Sequence, residues 1–91
     1  MWEPYRNGFK AHLQLERSLS SASVEAYLGD LEKLTQYLSL HDSKATPASI
    51  TLDQLQDFLK WVAQLGMTAS SQSRLISGIR SFYKYCLSEQ V

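Results

Sequence analysis

The chain has 91 residues, nine Lys or Arg against nine Asp or Glu, 44% hydrophobic residues and one cysteine. That length suits a single domain spanning 1–91, and the apolar content favours a folded globule over a disordered segment. The lone Cys86 excludes an internal disulfide, and a net charge of zero excludes a surface that is cationic throughout.

The first apolar-periodic segment puts Trp2, Tyr5, Phe9 and Leu13 on one helical stripe. Pro4 fits its first turn, where a missing N–H costs nothing. The segment ends near Glu16-Arg17. Ser20 or Ser21 then caps a second helix. Val24, Tyr27, Leu28, Leu31, Leu34 and Leu38 give the clearest amphipathic signal in the chain, with Glu25, Asp30, Glu32 and Lys33 on the opposite face.

Residues 39–50, "SLHDSKATPASI", read as a polar connection and the most flexible part of the chain. Pro47 disfavours helix at Thr46. Thr51 and Gln54 form a T-x-x-Q capping box that opens a third helix, and Ile50 with Leu55 can staple it. Leu52, Leu55, Leu59 and Val62 make its buried stripe, with Phe58 beside it. Gly66 ends it, since glycine takes the left-handed conformation at low cost. Thr68 caps the fourth helix, whose inner side carries Leu75, Ile79, Phe82, Tyr83 and Cys86. Four helices joined by short links predict an all-α, compact four-helix bundle. Its core should centre on Leu28, Leu31, Leu55, Leu59, Leu75, Ile79 and Phe82.

Charge is distributed unevenly. Residues 67–88 contain Arg74, Arg80 and Lys84 and no Asp or Glu, while the rest of the chain holds six basic and nine acidic residues. On the fourth helix, Ser73, Ser77, Arg80 and Lys84 fall in one row. Small hydroxyls and long cations without carboxylates suit a phosphate backbone; they are equally compatible with an ordinary solvated face. No constellation suggests catalysis. His12 and His41 are isolated, no Gly-rich phosphate loop is present, and the serines gather at helix starts, where capping explains them. Cys86 lies on a core stripe and reads as an inert thiol. No metal or cofactor is expected, nor a small-molecule ligand. With no signal-peptide layout or membrane-length apolar run, the chain reads as soluble and cytoplasmic.

Two stretches carry a family resemblance. "LSSASVEAYLGDLEKLTQYL", residues 19–38, resembles the start of the core-binding domain of tyrosine recombinases of the Xer and phage-integrase type. Leu19, Ser20, Ser23, Tyr27, Asp30, Leu31, Leu34, Tyr37 and Leu38 stand at the pattern positions. Ser23 replaces a threonine and Leu34 a phenylalanine. "TASSQSRLISGIRSFYKYCLSEQV", residues 68–91, is similar to the family's segment T-x-x-x-x-x-R-x-L-S-x-I/V-R-x-F-Y-x-Y-L. Thr68, Arg74, Leu75, Ser77, Ile79, Arg80, Phe82, Tyr83 and Tyr85 fit, and Cys86 stands where leucine is common.

The resemblance implies a SAM-like four-helix module that forms half of a clamp around duplex DNA. The catalytic domain, with its tyrosine nucleophile, is then expected C-terminal to this chain, so the chain itself should not be an enzyme. Recombinase protomers would be its protein partners. In the family, the second and fourth helices face the major groove and its phosphates. The corresponding candidates are Ser21, Ser23 and Tyr27 on the second helix, with Tyr27 equally readable as core. On the fourth they are Ser70, Gln72, Ser73, Arg74, Ser77, Arg80 and Lys84. Short hydroxyls let a helix approach DNA closely, while Gln and Arg reach base edges. The bland alternative for Arg74 or Arg80 is an ion pair with a carboxylate of a neighbouring helix. Lys10 and Lys33 are weaker candidates. A different class, a helical protein–protein adaptor, would need an exposed anchor such as Trp2 or Trp61.

Overall fold

The computed structural model describes residues 2–89. Four α-helices follow one another: α1 (Glu3–Ala11), α2 (Ser21–His41), α3 (Leu52–Gln64) and α4 (Ala69–Ser88). A π-helical turn, His12–Glu16, extends α1, and a 3₁₀ turn, Pro47–Ser49, precedes α3. No strand occurs among the described residues. The all-α four-helix prediction therefore holds.

Local chemistry sets the helix ends. Ser20, rather than Ser21, caps α2: its Oγ accepts from the Ser23 N–H at 3.2 Å. The Thr51–Gln54 box forms in both directions, at 3.1 and 2.9 Å. Thr68 Oγ1 accepts from the Ser71 N–H at 3.2 Å. Gly66, at φ +96°, closes α3. Its N–H bonds the Ala63 carbonyl and the Met67 N–H bonds that of Val62, which satisfies two otherwise unpaired carbonyls.

The core has two lobes. In one, Phe9, Leu13, Val24, Leu28 and Leu31 enclose Phe82 and Cys86. In the other, Leu34, Tyr37 and Leu38 meet Phe58, Val62, Leu75 and Ile79. The first half of α2 thus lies against the second half of α4, and the second half of α2 against α3 and the start of α4. Five of the seven predicted core residues are buried. Leu55 and Leu59 are only half-buried, and Leu52 is exposed. The buried anchors of α3 are Phe58 and Val62, because α3 meets the bundle along a stripe rotated from the one expected. Its leucines instead line a cleft between α3 and α4.

Two expectations change in the connection before α3. Helix α2 continues through His41, whose ring stacks on Tyr37, so this histidine is not in a loop. The connection is also pinned to the bundle. The Trp2 indole donates to the Ala45 carbonyl at 2.9 Å, and the Tyr83 hydroxyl donates to that of Pro47 at 2.9 Å. Ala45 and Pro47 are buried. Aromatic donors from α4 and from the start of α1 hold a segment whose polar composition alone suggested freedom.

Candidate nucleic-acid interface

Helix α4 presents an exposed row of Ser70, Ser73, Ser77, Arg80 and Lys84. These positions recur at helical spacing because the intervening Leu75, Gly78, Ile79 and Phe82 face the core. Among the described residues, Arg80 and Lys84 have no ion-pair partner. From Ser70 to Lys84 the row runs about 21 Å along the helix axis, at ~1.5 Å per residue.

The other candidates are less free. Gln72 is half-buried and its amide donates to the Met67 carbonyl, just before its own helix, at 3.0 Å. Ser23 is half-buried and accepts from the Ser20 hydroxyl at 3.1 Å, so it belongs to the α2 cap. Ser21 is exposed on the first turn of α2. Tyr27 is half-buried, with its ring edge-on to Phe9 at a centroid distance of 6.4 Å. Ser21 and Ser23 lie toward the C-terminal half of α4, away from Ser70 and Gln72 at its start. The two candidate groups therefore do not converge on one point.

Arg74 forms the cross-helix ion pair anticipated as its alternative role. Its guanidinium bonds Asp30 Oδ1 on α2, and its side chain stays 53% exposed. Asp30 was expected on the polar face of α2; it is buried, at 1% exposure. The space comes from Gly78, where a Cβ would sit 2.8 Å from the Asp30 Cγ. Burial pushes the Asp30 carboxyl above its ordinary value, and the charges of Arg74 and Lys33 offset only part of that shift. Oδ2 has no hydrogen-bond partner among the described residues. Arg74 thus stays half exposed, but its charge is balanced locally.

One residue was missed at the sequence level. Arg17 leaves the α1–α2 corner and its Nη1 donates to Ser81 Oγ on α4 at 3.0 Å. The same guanidinium lies 5.9 Å from the centroid of the Tyr27 ring on α2. With Ser77, Arg80, Ser81 and Lys84 it lines an open depression of about 840 Å³, which has no carboxylate in its lining. Sixty-four residues separate Arg17 from Ser81, so no local pattern could have paired them.

The remaining chemistry is sparse. His12 Nδ1 and the Glu16 carboxylate are 2.7 Å apart on the π-helical turn. Burial raises the Cys86 thiol above its ordinary value, which disfavours the thiolate. No group of three or more metal-ligating side chains occurs among the described residues. No helix among them is long and apolar enough to cross a membrane.

The chain is similar to known proteins over most of its length. Residues 7–90 match the family model for the phage integrase N-terminal SAM-like domain. The chain is 35% identical over 79 residues to tyrosine recombinase XerD of Oceanobacillus iheyensis, covering 87% of this chain and 27% of that protein. It is 32% identical over 90 residues to tyrosine recombinase XerD of Chlorobaculum tepidum, covering 99% of this chain and 29% of that protein. Tyrosine recombinase XerC of Pseudomonas savastanoi pv. phaseolicola is 30% identical over 83 residues, with coverages of 91% and 27%. The chain therefore spans less than a third of the length of these relatives. No solved structure matches it significantly. The four-helix architecture, the motifs at residues 19–38 and 68–91 and a family match across nearly the whole chain make this a member of the phage integrase N-terminal SAM-like domain family.

Proposed function

We propose that the chain is the DNA-binding N-terminal domain of a site-specific tyrosine recombinase, and that it grips duplex DNA through α2 and α4. The carrying observation is the exposed, carboxylate-free row of Ser70, Ser73, Ser77, Arg80 and Lys84. Its length of about 21 Å matches roughly six steps of 3.4 Å along one DNA strand. Hydroxyls allow close approach and donate to phosphate oxygens, while Arg80 and Lys84 displace counterions. Arg74, held by Asp30, offers oriented donors suited to a base edge. Ser21, Ser23 and Gln72, near their helix starts, and Tyr27, in the second turn of α2, fill supporting roles. Cutting and rejoining belong in this reading to a separate catalytic domain, so the chain alone binds without forming a covalent adduct.

The adaptor alternative is weaker. Both tryptophans are half-buried: Trp2 bonds Ala45, and Trp61 packs against Tyr37 at 5.5 Å. Neither is a free anchor of the kind that dominates protein interfaces.

The test is a backbone-amide NMR titration with duplex DNA at low and high salt. Shifts that cluster on residues 20–27 and 70–84 and fade as salt rises support the reading. Shifts centred on Trp2 and Trp61, or none at low salt, overturn it.

A further inference from the structure

We infer that Arg17, at the α1–α2 corner, is one arm of a phosphodiester-binding site whose other arm is the Ser77–Arg80–Lys84 face of α4. The inference rests on the DNA-binding reading above and deepens it, by adding a cation from outside the two helices.

The corner fixes where Arg17 starts. Its N–H bonds the His12 carbonyl at 3.2 Å, which closes the π-helical turn. Ser18 follows at φ +51°, a left-handed conformation uncommon outside glycine, and reverses the chain. The Leu19 N–H then bonds the Leu13 carbonyl at 3.1 Å. The side chain is fixed as well. The Tyr27 ring supports the guanidinium, and Ser81 takes one of its roughly five N–H donors. Its remaining donors adjoin the depression lined by Ser77, Arg80 and Lys84, and Arg17 is exposed. A guanidinium already oriented in this way loses less entropy on meeting a phosphate.

Charge favours the same assignment. Helix α4 carries three cations, but Arg74 is balanced by Asp30. Arg80 and Lys84 remain, about 6 Å apart along the axis at ~1.5 Å per residue. Arg17 supplies a third cation to the same depression, whose lining also carries the Ser77 and Ser81 hydroxyls. The nearby Glu16 carboxylate faces His12 on the π-helical turn and does not line the depression. Phosphodiester oxygens, with dispersed negative charge and several acceptors, fit a depression lined by cations and hydroxyls together.

A purely structural Arg17, bracing α2 against α4, would leave the salt dependence of binding unchanged. The experiment therefore measures binding of a 20-bp duplex of arbitrary sequence by fluorescence anisotropy from 50 to 200 mM salt. Three phosphate contacts predict a loss of affinity of about 40-fold over that range for the parent chain. Arg17→Gln should reduce the loss to about 12-fold, a log–log slope smaller by about one, while Arg17→Lys keeps the parent slope. In the parent chain, which needs no substitution, the Arg17 Nε–Hε resonance should shift with duplex at 50 mM salt. A parent slope retained by Arg17→Gln, or an Arg17 resonance that never moves while the amides of α4 do, overturns this inference and leaves the DNA-binding reading intact. No salt-dependent binding by the parent overturns both.

Discussion

The Arg74 guanidinium on α4 bonds the Asp30 carboxylate on α2, and Gly78 supplies the space that the carboxylate occupies. Two helices that otherwise meet through leucine and phenylalanine are thereby locked by one charged contact. The contact is unequal: Asp30 is buried, with one oxygen unsatisfied, while Arg74 is half in water. Each partner therefore has a different stability signature.

Removing Arg74 should leave a buried carboxylate without its cation. Loss of one partner from a buried pair costs ~3–5 kcal/mol, and the exposure of Arg74 places this case at or below the lower end. Arg74→Met, which keeps the stem, should therefore destabilise the chain at pH 7 by roughly 2–3 kcal/mol. The sign with pH follows from the raised Asp30 pKa. The folded state holds the proton more tightly, so the contribution of Asp30 to stability falls as pH rises from its ordinary value of 3.8 toward the raised one. Below that window the carboxyl is neutral in both states and Arg74→Met should cost less. Asp30→Asn should abolish this part of the pH dependence. Urea unfolding of the three proteins from about pH 3 to 7 checks it; a cost for Arg74→Met that does not vary with pH contradicts it.

Two glycine-to-alanine changes should have opposite signs. At Gly78 the added methyl meets Asp30 Cγ at 2.8 Å and Cβ at 3.0 Å, so the helices must part or the ion pair must break. Overpacking of this kind costs about 1–3 kcal/mol. At Gly29 a Cβ meets nothing within 4 Å, and α2 gains the helical preference of alanine, about 0.5–1 kcal/mol. Thermal melts of Gly78→Ala and Gly29→Ala should move in opposite directions. A neutral Gly78→Ala would mean that the Asp30 carboxylate does not sit against α4.

Tyr83→Phe should loosen the connection before α3 without disturbing the core lobes. It removes only the 2.9 Å bond to the Pro47 carbonyl, worth about 0.5–1.5 kcal/mol. Amide exchange should quicken over residues 45–49 more than in α2 or α4. Burial raises the Tyr83 hydroxyl to about 12, so its proton, and this bond, persist throughout the neutral range. The stability that depends on it is lost only as pH climbs above the ordinary tyrosine value of 10.0, where the unfolded chain ionises first. Uniform exchange rates in parent and variant would show that the bond does not hold the connection.

Much of this fold is legible in the sequence, because its determinants are local. Ser20, Thr51 with Gln54, Gly66 and Thr68 mark helix ends by chemistry that acts within a few residues. What escaped was tertiary. The pattern of α2 puts Asp30 among polar residues, and only a glycine on another helix allows it to be buried. The leucines of α3 satisfy a helical stripe, yet Phe58 and Val62 fill the core, because periodicity gives a face but not its rotation against a partner. At the candidate interface the α4 row was legible as a helical repeat. Arg17 was not, since it meets Ser81 only after the chain has folded back through two further helices.

The three cations of α4 should behave differently toward DNA, and that difference tests how the ion pair divides their work. Arg80 and Lys84 are exposed and unpaired among the described residues, so each is free to neutralise a phosphate. Arg80→Ala and Lys84→Ala should each lower the log–log salt slope by about one unit while the helical circular dichroism stays unchanged. Arg74 brings its charge already compensated by Asp30, so it releases little counterion on binding. Arg74→Ala should change the slope by much less than one. Its oriented outer donors serve recognition instead, where a bidentate contact is worth about 1–3 kcal/mol of discrimination between bases. Selection of preferred duplexes from a random pool, for the parent chain and for each variant, separates the two roles. Arg80→Ala and Lys84→Ala should weaken all duplexes alike and preserve their ranking, whereas Arg74→Ala should flatten the ranking. A slope that falls by a full unit with Arg74→Ala would show that Asp30 releases Arg74 on DNA, and that the ion pair is a resting contact rather than a fixed part of the interface.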